Sequence, residues 1–262
     1  MKVALVQMQI QLADPAANRA TVAARVAEAA AAGARLVLLP ELWTTGYCLP
    51  RLRGELAEAP GGVSERFLSD VANANHVFLA SSIPVQVGEG VYNRHLLFSP
   101  AGTELAQYDK VHLVPMLDEP TWLAAGDKLA VAPLEGEGAV AGLGICYDLR
   151  FPELWRSLAL QGAGLLLLPA EWPIVRAAHW RALAIARAIE NGAFVLGCNC
   201  CGSDGTNTFA GGSLIVSPWG DVLAEAGLDE AIIYADLDLS LIEAARTRVP
   251  VLRDRRPEIY HK

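Results

Sequence analysis

Cys146, in the segment GLGICYDLRFPEL, offers a nucleophilic thiol in a setting that would present it, with Gly142 and Gly144 before it and a helix start expected near Pro152. At such a strand-to-helix turn a thiol has unpaired backbone N–H groups beside it that can hold an oxyanion, and the helix start favours a thiolate. Attack on a carbonyl also needs a proton acceptor and a positive charge for the oxyanion that forms. Glu41 in PELWTTGY, and Lys110 with Glu119 in YDKVHLVPMLDEP, supply both without a histidine and sit beside apolar and proline-rich segments that favour burial. Each residue alone has a plainer reading, as a buried structural cysteine or a solvated surface charge. Together they point to acyl transfer.

The pattern of apolar runs supplies the elements to carry these residues. KVALVQ reads as a strand, PAANRATVAARVAEAAAAG as a helix closed by Gly33, and RLVLLP as a buried strand, which makes a βαβ unit. VSERFLSDVANAN and VRAAHWRALAIARAIEN read as further helices, with LSLIEAARTR as a closing one. HVFLASS, VYNRHLLFS, VAGLGI, LLLLP, AFVLGCN, GSLIVS and AIIYADLD read as strands. The alternation predicts an α/β fold with sheet covered by helices. No linker divides the chain, so residues 1–262 are expected to form a single domain. Glu41 and Cys146 each follow an apolar run within two residues, and the carboxyl ends of strands are where ligand sites collect in α/β folds. LVLLPELW at 36–43 and LLLLPAEW at 165–172 look alike. Their likeness fits either an internal duplication or two apolar strands that end at proline.

Composition narrows the class. Hydrophobic residues make up 53% of the 262 and charged ones 19%, a balance suited to a large core. The formal charge of −8, without a run of Lys or Arg, argues against a nucleic-acid partner. In MKVALVQMQIQLADP the apolar run is short and interrupted by Gln7, Gln9 and Gln11, which fits a strand and neither a signal peptide nor a membrane span. Five cysteines form an odd set, consistent with reduced thiols and a cytoplasmic protein. A metal-binding module through Cys198, Cys200 and Cys201 is the non-enzymatic alternative, but CNCC lacks the paired C-x-x-C spacing of a zinc site.

LLPELWTTGY, YDKVHL and GLGICYDLRFPE resemble, in order and spacing, the three signature regions of the nitrilase, or carbon–nitrogen hydrolase, superfamily, and the likeness runs from residue 3 to about residue 260. The resemblance implies a four-layer α-β-β-α sandwich, a homodimer or larger assembly, and neither metal nor organic cofactor. It makes Glu41 the general base, Lys110 the oxyanion-stabilising cation, Cys146 the nucleophile and the Tyr147 N–H a second oxyanion donor. Glu119 matches the second glutamate after the lysine, with Asp118 adjacent.

AEWPIVRAAHWRALAIARAIENGAFVLGCNCCGSDG and TFAGGSLIVSPWGDVLAEAG resemble the bacterial omega-amidase branch, which implies monoamides of short dicarboxylic acids, such as 2-oxoglutaramate, as substrates. Such a molecule needs a second cation for its carboxylate, and the guanidinium fork suits it. Arg176 is the first candidate and Arg150 the second. Their plainer readings are a surface helix start for Arg176 and an ion pair with Asp148 or Glu153 for Arg150. Trp172 could wall the methylene chain, with Tyr47 and Trp43 opposite, or all three could pack in the core. His179 reads as structural. An N-carbamoyl amine or a nitrile remains the alternative small-molecule substrate for the same Glu–Lys–Cys set.

Overall fold

Strand β1 (Lys2–Gln7) alternates the faces it presents. Val3 and Leu5 pack into one core and Ala4 and Val6 into another, the period-two pattern of a strand covered on both sides. The structure is a computed structural model that describes residues 1–260. It contains two six-stranded mixed sheets. The first runs in the order β12 (Ala231–Asp236), β1, β2 (Leu36–Leu38), β3 (Phe78–Val87), β4 (Gly90–Phe98), β5 (Glu104–Asp109). The second runs β11 (Val222–Glu225), β10 (Leu214–Val216), β9 (Phe194–Asn199), β8 (Leu165–Ala170), β7 (Ala139–Leu143), β6 (Val131–Leu134).

One core lies between the sheets, where Val3, Leu5, Leu36 and Leu38 meet Leu143, Leu165 and Leu167. Helices α1 (Pro15–Ala31) and α2 (Val63–Asn75) cover the first sheet through Val22, Val26, Leu68 and Val71. Helices α4 (Pro152–Leu160) and α5 (Ala177–Asn191) cover the second through Trp155, Leu158, Trp180 and Ala184. The result is the expected α-β-β-α sandwich. The short helix α3 (Glu119–Trp122) lies between β5 and β6, while α6 (Ser240–Arg248) and α7 (Pro257–Tyr260) follow β12.

The sheets correspond strand for strand. β1, β2 and β3 are mutually parallel, as are β7, β8 and β9, and the remaining strands join antiparallel. Aligning the two parallel triplets makes β2 the equivalent of β8. The likeness of LVLLPELW to LLLLPAEW therefore falls on equivalent strands, each of which ends just before a glutamate. β5, β6 and β11 have no counterpart in the sequence reading. All three are edge strands, where one-sided pairing tolerates polar residues and even Pro133, so the apolar signature is weak.

Candidate active site

Glu41 leaves the end of β2 and Lys110 follows β5. Glu119 opens α3. The side chains of all three have no exposed surface. Lys110 Nζ donates to Glu41 Oε1 at 2.8 Å and to Glu119 Oε1 at 2.7 Å. Of the two adjacent acids, Glu119 is the one that meets Lys110, while Asp118 turns away to accept from Thr121 and Trp122. Asn93 Nδ2 and the Glu171 N–H each donate to Glu41 at 2.8 Å. The Val114 N–H donates to Glu119 Oε2 at 2.7 Å, and the Tyr47 hydroxyl donates to Glu119 Oε1. Burial alone would strip the proton from Lys110, but Glu119 and Glu41 outweigh it and hold the ammonium well above the usual lysine range. The two carboxylates thus favour the charged form of Lys110. Upstream of it, Arg94 grips Asp109 with two hydrogen bonds of 2.7 and 2.9 Å across the β4–β5 pair, setting where β5 ends.

Cys146 begins a short 3₁₀ turn, Cys146–Arg150, between β7 and α4. Its φ of 44° lies in the left-handed region, as does the 43° of Leu42, the residue after Glu41. Such conformations cost energy in a non-glycine residue and persist where surrounding contacts enforce them. Asp148 enforces this one. It accepts from the Ile145 N–H at 2.8 Å, the Tyr108 hydroxyl at 2.7 Å, and the N–H and Nδ1 of His112 at 3.2 and 2.7 Å. Tyr147 lies in the first turn, where N–H groups have no helical partner. The glycines act through packing, since a Cβ on Gly144 would fall 2.4 Å from Trp155 and one on Gly142 2.9 Å from Ala163.

The helix-favoured thiolate expected from the sequence meets opposing influences in the site. Burial and then the charge of Glu41 push the Cys146 thiol well above its usual range, with Lys110 only partly opposing them. A neutral thiol beside a carboxylate base fits activation by proton transfer at the moment of attack.

The thiol lines a cavity of about 60 Å³ together with Tyr147, Arg150, Glu171, Trp172 and Arg176. A second cavity of about 110 Å³ is lined by Tyr47, Glu171, Arg176, Asn207 and Phe209. Arg176 borders both, and Trp172 and Tyr47 each wall one. Trp43 does not take part: it is fully buried against Phe67 in the core between α1, α2 and the first sheet. Arg150 pairs with neither Asp148 nor Glu153 among the described residues, because Asp148 is already engaged. Its guanidinium lies 4.7 Å from the Trp172 ring centroid, and Nη1 is 3.4 Å from His179 Nδ1. No three His, Cys, Asp or Glu side chains among the described residues are grouped so as to hold a metal ion.

The family described as carbon–nitrogen hydrolase matches residues 2–247. This chain belongs to that family. The carbon–nitrogen hydrolase is 43% identical to the 2-oxoglutaramate amidase of Bacillus subtilis over 228 residues, covering 87% of each chain. It is 35% identical to omega-amidase NIT2 of Homo sapiens, covering 99% of this chain and 96% of the other. Among solved structures, Saccharomyces cerevisiae Nit3, a member of branch 10 of the nitrilase superfamily, superposes with a TM-score of 0.90 at 33% identity, covering 98% of this chain and 96% of that one. Amide hydrolysis is the shared chemistry of the named amidases, and this chain is an amide-hydrolysing enzyme of their kind.

Glu171, like Asn93, is a residue that the sequence reading passed over. It is 2% exposed and lines both cavities, and its Oε1 has no hydrogen-bond partner among the described residues. Its signal was present in LLLLPAEW, the counterpart of the segment that carries Glu41.

Proposed function

We propose that this chain hydrolyses the terminal amide of a short dicarboxylic acid monoamide such as 2-oxoglutaramate, releasing ammonia and the dicarboxylate through a thioester on Cys146. The observation that carries this reading is Lys110 clamped between Glu41 and Glu119, with Cys146 lining a cavity that also holds two arginines. The names of the Bacillus subtilis and Homo sapiens relatives support it.

In this mechanism Glu41 takes the thiol proton as the sulfur attacks the amide carbon. The carbonyl electron pair moves onto oxygen, where the Lys110 ammonium and the Tyr147 N–H hold it. The pair returns, the C–N bond breaks, and the proton on Glu41 passes to the nitrogen, which leaves as ammonia. Water then attacks the thioester while Glu41 accepts its proton, the C–S bond breaks, and the proton goes back to sulfur. Glu119 keeps the ammonium charged and in place. At the far end of the substrate, Arg176 pairs with the carboxylate, with Trp172 along the methylenes and Arg150 as the second cation. This chemistry uses neither metal nor organic cofactor. Cytoplasmic residence, which suits five unpaired thiols, and a homodimer complete the reading.

The test is release of ammonia and acid from 2-oxoglutaramate, run beside glutamine, an aliphatic amide, a nitrile and an N-carbamoyl amine. We expect turnover concentrated on the dicarboxylate monoamide, its loss in Cys146→Ala, and a raised KM in Arg176→Ala. Turnover of another compound in its place would overturn the substrate assignment. Light scattering checks the dimer.

A further inference from the structure

A buried carboxyl with an unpartnered oxygen is costly to keep and invites the question of what completes it. Glu171 is such a group, and it stands where the two cavities share a wall with Arg176, Leu117 and Pro173. Its backbone N–H is committed to Glu41, which fixes the start of the side chain. Its carboxyl makes no ion pair with Arg150 or Arg176. A substrate with its amide carbon at Cys146 and its carboxylate at Arg176 must pass this side chain.

We propose that Glu171 is a specificity-determining residue whose carboxyl O–H donates a hydrogen bond to the oxo oxygen next to the substrate carboxylate, so that the site selects 2-oxo acid monoamides. This rests on the substrate reading above and deepens it. The charge arithmetic favours a donor. Glu41, Glu119 and Lys110 already sum to one negative charge, and a further buried carboxylate would face that charge without a cation of its own. Burial, followed by Glu41 and Asp204, holds the Glu171 carboxyl well above the usual carboxylate range. A neutral carboxyl presents one O–H, which an oxo oxygen accepts. An amino group at the same carbon would arrive as an ammonium and require Glu171 to ionise, which disfavours glutamine.

The decisive comparison is kcat/KM for 2-oxoglutaramate and for glutaramate, which lacks only the oxo oxygen, in wild type, Glu171→Gln and Glu171→Ala, with glutamine as a third substrate. We expect wild type to prefer the oxo compound. Glu171→Ala should cut that preference about tenfold, the effect of one neutral hydrogen bond. Glu171→Gln, which retains an N–H donor of similar shape, should keep most of it. An unchanged preference in Glu171→Ala while 2-oxoglutaramate is still hydrolysed overturns the role of Glu171 and leaves the proposed function standing. Equal losses on both substrates show a structural role and overturn it too. Hydrolysis of glutamine as readily as 2-oxoglutaramate by wild type overturns the neutral-donor assignment. Failure of wild type on both monoamides overturns the substrate reading and this inference with it.

Discussion

Lys110 holds the electrostatic balance of the site. Two carboxylates and one ammonium share a region without exposed surface, and removing the cation leaves both anions unpaired. Breaking a buried pair in this way costs about 3–5 kcal/mol, far more than loss of a surface pair. Lys110→Met should therefore lower the unfolding free energy by that order as well as abolish turnover, and urea denaturation at neutral pH measures it. Because the folded-state pKa of Lys110 is raised, its contribution is fully present below the unfolded value of about 10.4 and is lost only as pH climbs through the higher folded one. Glu41, Lys110 and Cys146 stood out in the sequence because each lies in a run whose neighbours are themselves distinctive. Glu171 did not, because a single glutamate after an apolar strand shows its importance only when the pocket and its unpartnered oxygen are seen.

At the level of elements, the turn that holds Cys146 is built by residues from elsewhere in the chain. Asp148 collects four donors, from the residue before Cys146, from the end of β5, and from the loop after Lys110. Asp148→Asn puts an amide N–H₂ where one accepting oxygen stood, so donors lose their partner. A displacement of the thiol by about 1 Å can cost on the order of 100-fold in rate. We expect kcat to fall by about 10–100-fold with KM little changed, and a circular dichroism spectrum like that of wild type separates this from unfolding. The long strands and the main helices were legible from period and capping. Three of the four edge strands, β5, β6 and β11, were not, since residues such as Glu104, Gln107 and Pro133 dilute the apolar signal there. Nor was the left-handed backbone at Cys146, which follows from Asp148 and the packing of Trp155 and not from local propensity.

Across the whole molecule, the first strand depends on the last. β12 pairs with β1 from Lys2↔Asp236 to Gln7↔Ala231, and the Met1 ammonium donates to Leu237 O at 3.0 Å. The first half cannot finish its sheet without β12, so near-UV and far-UV signals should lose structure in one coincident thermal transition; separate transitions would show two folding units. His95, fully buried on β4, joins the two sheets through a 3.1 Å contact between Nδ1 and Gly144 O. Burial lowers its pKa from 6.5 to about 3. The unfolded chain therefore binds a proton first, so this stability is complete above pH 6.5 and drains as pH falls toward 3. That amounts to about 2–3 kcal/mol at pH 4.5. His95→Phe should show a flatter loss of stability between pH 7 and pH 4.5 in guanidinium titrations. The five cysteines are all unpaired and buried, yet Cys146 borders a cavity, so a small alkylating reagent should reach it in the intact protein, a labelling absent in Cys146→Ala. Cys198 and Cys200, which have no exposed surface, become reachable only when the chain opens, which makes their slow labelling a clock for unfolding within the same sample.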